Sequence, residues 1–280
     1  MGFKDLAKTF INEQQVITGH VDRYLMGLNY VENQRRKYCH HPSQLGKCPR
    51  KLQYEFLGYP KTRIIKPQTQ FVFAVGHALQ EVYVQFLIAS GFCKREHIEV
   101  AMHNDELNIH GHADIYVPEK GIGADLKTIR VNDKNEISYW VDGQQVFVPW
   151  KDFNKPHEDY EWQMHSYMLC DEKAKQWQIV YLNKNDQTVK EFHIPRDESK
   201  LAELRRKIEE VNLALAERRL LPRPLGYMPM TVPCAWCEYK DVCWDDTVKP
   251  NFKVMDDIDA GLIDLATGKR LDENQEELDV

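Results

Sequence analysis

Apolar positions along the chain recur first with a helical and then with an alternating period. Over residues 1–38, Leu6, Phe10, Val16, Ile17, Val21, Tyr24, Leu25 and Leu28 recur at helical spacing with a break near Thr18-Gly19, which predicts an amphipathic helical segment. A second helix is expected from Pro42 and Ser43 to Gly58. A third and stronger one is expected over 69–90, where Phe71, Val75, Leu79, Val82, Phe86 and Leu87 form an apolar stripe that ends at Gly91. The period then shortens to two. Residues 107–130 alternate β-branched or aromatic residues with polar ones on either side of a turn at Pro118 to Gly123, two short strands. Residues 131–155 are mixed, with a hairpin or ordered loop expected. Glu158 to Asp171 reads as a helix, 176–182 and 188–194 as strands joined at Lys184-Asn185-Asp186, and Asp197 to Arg219 as a charged helix that stops before Pro222. Strands interleaved with helices indicate an α/β protein. The expected organisation is an N-terminal helical segment (1–41), one core domain (42–245) and an acidic tail (246–280) with its last ten residues disordered.

Composition adds two facts. No run approaches 18 apolar residues, and Met1 to Phe10 carries Lys4, Asp5 and Lys8, so neither a membrane span nor a secretory signal is expected and an intracellular setting is. In such a setting the seven cysteines are thiols or metal ligands rather than disulfides. The net charge of −6 is unevenly spread, with 12 Lys and Arg against 5 Asp and Glu in residues 1–66, and 4 against 11 in residues 244–280. The basic first third is a candidate phosphate-binding surface or simply a solvated one.

Chemistry concentrates in the two central strands. His110, His112 and Asp114 share one strand face, and Asp125 and Lys127 share a face of the next, with Ala124, Leu126 and Thr128 turned the other way. Two carboxylates and an ammonium on mostly apolar strands are costly unless they pair or hold a metal. Hard oxygen donors of this kind suit Mg²⁺ or Mn²⁺, with Lys127 positioned to orient a water or neutralise developing charge. The bland alternatives are an interstrand salt bridge and, for the two histidines, a polar strand face. A second constellation is Cys234-x2-Cys237-x5-Cys243, three corners of a thiolate site for zinc or an iron-sulfur cluster. Its fourth ligand is sought at Cys48 first and Cys39 second.

In chain order, Ser43-x4-Cys48-Pro49-Arg50, Gly76-His77-Ala78-Leu79-Gln80-Glu81, Gly111-His112-Ala113-Asp114, Asp125-Leu126-Lys127-Thr128, Gln163-x3-Tyr167 and the terminal cysteines resemble the iron-sulfur branch of the PD-(D/E)xK nuclease superfamily. That branch includes RecB-like and AddB-type nuclease domains, CRISPR-associated RecB-like exonucleases and phage-encoded relatives. The likeness spans about residues 42–243. It implies a restriction-endonuclease-like core, a mixed β-sheet flanked by helices. It further implies metal held by Asp114 and Asp125, Lys127 as the catalytic lysine, Gln163 and Tyr167 against DNA near the scissile phosphate, and a 4Fe-4S cluster on Cys48, Cys234, Cys237 and Cys243 that staples the ends of the domain. The family shows Gly-x3-His on its first helix. Here Gln80 holds that register and the imidazole is His77, so either is a candidate metal ligand. The expected activity is a metal-dependent DNA exonuclease that prefers single-stranded or frayed ends, with recombination or replication proteins as possible partners, no membrane and no specified oligomer. The rival is a DNA-end-binding scaffold subunit with weak catalysis, motivated by Gln80.

Overall fold

A computed structural model describes residues 16–34, 38–141, 144–264 and 269–271. The readings for residues 1–15, 35–37 and 272–280 lie outside the described residues. Helices α1 (Val16–Gln34), α2 (Pro49–Phe56) and α3 (Pro67–Ala89) come first, then strands β1 (Ile98–Asn104), β2 (Ile109–Val117) and β3 (Ile122–Ile129). A hairpin of β4 (Glu136–Val141) and β5 (Gln144–Pro149) leads to α4 (Glu158–Cys170), β6 (Gln176–Asn183), β7 (Val189–Pro195) and α5 (Glu198–Ala216). Short elements α6 (Lys240–Trp244), α7 (Lys253–Asp259), β8 (Ile263–Asp264) and β9 (Lys269–Arg270) finish the chain.

The main sheet has the order β1-β2-β3-β6-β7, antiparallel throughout except for the parallel β3–β6 pair. It is a mixed central sheet flanked by helices, the α/β architecture expected. On one face, Val84 of α3 packs with Ile115, Val117, Ala124, Leu126, Val180 and Leu182. On the other, Met164, Tyr167 and Met168 of α4 pack with Trp177, Ile179 and Tyr181. Burying each of these large side chains stabilises by about 1.5–3 kcal/mol, so β6, apolar on both faces, is the spine of the fold. A third cluster joins α2, α5 and α7 through Leu52, Phe56, Leu204, Ile208, Val211, Val254 and Met255. Residues 253–259, within the segment read as a tail, thus form a helix seated in the core.

Two expected helices differ in detail. After Pro42 there is only a single tight turn, Pro42–Gln44, and the helix proper starts at Pro49 with Cys48 as its N-cap. Proline at the first helical position gives up no hydrogen bond there, which sets the true start. In α3 most of the stripe seen in the sequence is exposed, Phe71 by 59% and Phe86 by 66%, while Leu79 and Leu87 pack against the sheet. The helix approaches β3 through Gly76, where a Cβ would come within 2.6 Å of Thr128 Oγ1. Apolar residues surround this helix, so periodicity could not choose its face and the close approach at glycine does. Among the described residues α3 is also the one helix long and apolar enough, by length and composition, to cross a membrane.

Among the described residues, four cations of the basic N-terminal region are engaged within the fold. Lys47 pairs with Asp159 and Lys51 with Glu238, Arg50 donates to the Leu221 carbonyl, and Arg63 donates to the Trp236 carbonyl. These groups bind the N-terminal third to later parts of the chain.

Candidate functional site

β2 and β3 pair antiparallel with Ile115 opposite Ala124, which brings Asp114 and Asp125 to neighbouring positions at the end of the ladder. There the backbone pairing gives way and the Asp114 side chain takes it over, Oδ2 accepting from the Leu126 amide at 2.6 Å. Lys127, on the same strand face as Asp125, brings Nζ within 2.6 Å of Asp125 Oδ2. Gln163 of α4 donates through Nε2 to Asp125 Oδ1 at 2.8 Å. Tyr167, one turn further on, donates its hydroxyl to the His112 carbonyl at 2.7 Å and receives Gln163 Nε2 at 3.4 Å. The helix can aim these two side chains because Met164 and Met168 beside them are fully buried against the sheet.

All five residues line one cavity of about 550 Å³, together with His77, Gln80, His110 and His112. Gln80 donates its amide nitrogen to the Leu126 carbonyl on β3. His77, one turn earlier, is exposed at the rim. Gly111 is explained by the wall of this cavity: a Cβ there would lie 2.6 Å from Pro42 Cδ. Cys39, the second choice for a thiolate ligand, also lines this cavity, near His41 and away from the other cysteines.

Two residues escaped the sequence reading. Tyr160 lies on the Gln163–Tyr167 face of α4, and its ring centroid is 4.6 Å from Lys127 Nζ, a cation-π contact that fixes the ammonium. Its three- and seven-residue offsets from Gln163 and Tyr167 were the available signal. Glu99 of β1 also lines the cavity, with no motif to mark it.

Burial, and after it the Asp125 carboxylate, push Asp114 up to about 7. Burial also holds Asp125 above the usual carboxylate range, against the pull of Lys127 and Gln163. For Lys127 burial works to discharge the ammonium, and Asp125 with Asp114 more than offset it, so its pKa stands above the ordinary value. The site therefore holds crowded carboxylates with too little positive charge. A folded-state pKa raised above the unfolded one contributes stability below the unfolded value that is lost as pH rises through the folded one, here between about 4 and 7. In EDTA, Asp114→Asn is accordingly expected to unfold a few degrees above the wild type at pH 8 and to lose that advantage at pH 5. Thermal unfolding at both values checks it, and a less stable variant at pH 8 would refute the crowding.

The second constellation also assembles. Cys48, Cys234, Cys237 and Cys243 line one separate cavity of about 570 Å³, together with Lys51 and Tyr54 of α2. Cys48 sits at the N-terminus of α2, where the amides of Arg50 and Lys51 point at its sulfur. Burial raises the Cys48, Cys234 and Cys237 thiols, Cys237 to about 11, and the neighbouring cysteines add to each shift. Among the described residues no three His, Cys, Asp or Glu side chains stand already converged as a metal ligand set. The donor types nevertheless fit: four soft sulfurs with amide donors in one cavity, and hard oxygens with a buried ammonium in the other.

Residues 137–244 match the family model of the PD-(D/E)XK nuclease superfamily. The family likeness read from the motifs is thus found again over a segment that holds Gln163, Tyr167 and three of the cysteines. No curated protein matches the chain. Among solved structures, that of SSO0001 aligns with a TM-score of 0.48 at 16% identity, covering 83% of this chain and 98% of that one. The structure of an alkaline exonuclease from Laribacter hongkongensis aligns with a TM-score of 0.41 at 13% identity, covering 64% of this chain and 88% of that one.

Proposed function

We propose that this chain is a divalent-cation-dependent deoxyribonuclease that degrades DNA from single-stranded or frayed ends. The observation that supports it most is the meeting of Asp114, Asp125 and Lys127 with Gln163 and Tyr167 in one cavity, in a chain whose residues 137–244 match a nuclease family. Asp114 and Asp125 would hold the cation. The Leu126 amide, donating to Asp114 Oδ2, would hold that carboxylate in place for it. The Gln80 amide nitrogen is likewise committed to a backbone carbonyl, so its oxygen is the end offered to a cation, a hard donor suited to Mg²⁺. When bound, Mg²⁺ or Mn²⁺ polarises a phosphodiester oxygen and acidifies a water. Gln163 fixes the plane of the Asp125 carboxylate. The Lys127 ammonium, cushioned on the Tyr160 ring, faces the phosphoryl oxygens on which negative charge gathers as water attacks phosphorus and the ester bond breaks. Cys48, Cys234, Cys237 and Cys243 would hold a 4Fe-4S cluster whose part would be structural, since Cys48 caps α2 and the other three belong to the last third of the chain.

The test is cleavage of end-labelled linear single- and double-stranded DNA and of a closed circle, with Mn²⁺ and with Mg²⁺. Loss of the linear strands with survival of the circle is expected. The second reading, a DNA-end-binding scaffold, is favoured by the glutamine in the register of the family's histidine. It is adopted if ends are bound equally in EDTA and in Mn²⁺ and neither metal supports cleavage.

A further inference from the structure

Glu99 lies on β1, one strand further from β3 than Asp114. In the β1–β2 ladder Ile98 pairs with Ile115 and Val100 with Ala113, so Glu99 and Asp114 are the opposed positions between them. Both strands depart from regular extension at this level. Glu99 has a φ of 52°, left-handed backbone that residues other than Gly, Asn and Asp seldom adopt. Ile98 packs with the α3-side cluster and Val100 with the α4-side cluster, although a regular strand would put both on one face. β2 switches at the same place, with Ala113 in the α4-side cluster and Ile115 in the α3-side one. The two strands change faces together, and both residues at the change are carboxylates.

Asp125 continues the line, being next to Asp114 on the opposite side. Three carboxylates from three adjacent strands therefore stand in a row at one level of the sheet, with strands about 4.8 Å apart, and all three line the same cavity. A separate observation points to a ligand there. Asp125 is 1% exposed, and the one ammonium lining the cavity among the described residues, Lys127, is already paired with its Oδ2 at 2.6 Å. With a single ammonium beside the carboxylates of Glu99, Asp114 and Asp125, the charge left over is what a hard cation balances.

We infer that Glu99 is a further cation-binding carboxylate of this centre, donating from β1 the charged ligand that Gln80 on α3 cannot provide. The inference rests on the metal-dependent reading above. Glu99 is exposed and long, so its carboxylate can turn toward Asp114 when a cation is present. The left-handed backbone at Glu99 falls at the strand level of the two aspartates, and the residue lines the cavity they share.

The experiment is Mn²⁺ titration of the full chain at pH 8 without DNA, read by the electron paramagnetic resonance signal of free Mn²⁺. It compares the wild type, Glu99→Gln, Glu99→Gly, Asp125→Asn and, as a control on overall charge, Glu96→Gln. Glu99→Gln and Glu99→Gly are expected to bind at least about tenfold more weakly, the scale on which lost supporting groups act at metal sites. Glu96→Gln should match the wild type. Glu99→Gly should also unfold no lower than the wild type, because glycine relieves the left-handed backbone, which separates loss of a ligand from loss of the fold. If the wild type binds Mn²⁺ and Glu99→Gln binds within twofold of it, the role of Glu99 is overturned while the metal centre stands. If the wild type and Asp125→Asn both fail to bind, the metal-dependent reading has failed and this inference with it.

Discussion

Lys127→Met is expected to lower the rate of DNA cleavage by at least about 10²–10³-fold, the scale on which a single group stabilising transition-state charge acts. Methionine keeps the buried stem of the lysine and removes the ammonium. Its removal leaves Asp125 without its ion partner at a position almost wholly sealed from water. Breaking a buried pair in this way costs about 3–5 kcal/mol if the remaining charge persists. Asp125 has a way out, because burial already favours its protonated form and Gln163 stays in reach. The variant should therefore fold, with its largest loss of stability at alkaline pH, and DNA binding should survive. Steady-state cleavage beside an unfolding profile checks both parts. Activity within tenfold of the wild type would remove Lys127 from the chemistry and leave it a structural partner of Asp125. Alanine is a less clear substitution here, since it adds a cavity to the lost charge.

The chemistry was more legible than the packing. Asp114, Asp125 and Lys127 could be read because strand period two fixes which side chains share a face, and the structure keeps Asp125 and Lys127 together with Gln163 and Tyr167. The strand order, with β3 parallel to β6, comes from contacts between residues some fifty apart, and local pattern does not contain them. The face of α3 was misread for a related reason. Its apolar residues surround the helix, and the deciding feature is one glycine against Thr128 on another element. Glu99 was invisible because its meaning lies in the residue across the ladder. Nothing in Ile98-Glu99-Val100 as a sequence announces a reversal of face at the level of Asp114. Tyr160 could have been found, since it shares the Gln163 and Tyr167 face.

Part of the basic charge of the first third serves the fold. Lys47, Arg50, Lys51 and Arg63 come from the basic first third, and each is engaged by α4 or by the segment from Leu221 to Glu238. Gln53 does the same work without charge, accepting from the Leu221 amide at 2.7 Å and donating to the Arg219 carbonyl at 2.9 Å. The region around α2 is thus where the early and late parts of the chain are joined, and the four cysteines lie in it.

Cys237→Ala tests what that junction depends on. If a cluster is ligated by all four thiolates, losing one abolishes the visible band at about 400 nm expected of thiolate-to-iron charge transfer. Cys48 and Cys237 are 189 positions apart. A cross-link over so long a loop lowers the entropy of the unfolded chain by an amount worth about 5 kcal/mol in the closure model. In a chain of this size that corresponds to a fall in unfolding temperature of about 8 °C. Protein contacts already hold residues 219–221 to α2, whereas the 236–238 segment is tied by the Lys51–Glu238 pair and by surface contacts from Thr62 and Arg63. The loss should therefore begin at 234–243 and reach the core through α2, which hydrogen exchange followed by mass spectrometry would resolve in that order. A wild type that is colourless and carries one zinc would keep the staple and change its metal. A Cys237→Ala protein that unfolds at the wild-type temperature would show that the hydrogen bonds and ion pairs around α2 suffice, and that the thiolates are not what joins the two ends.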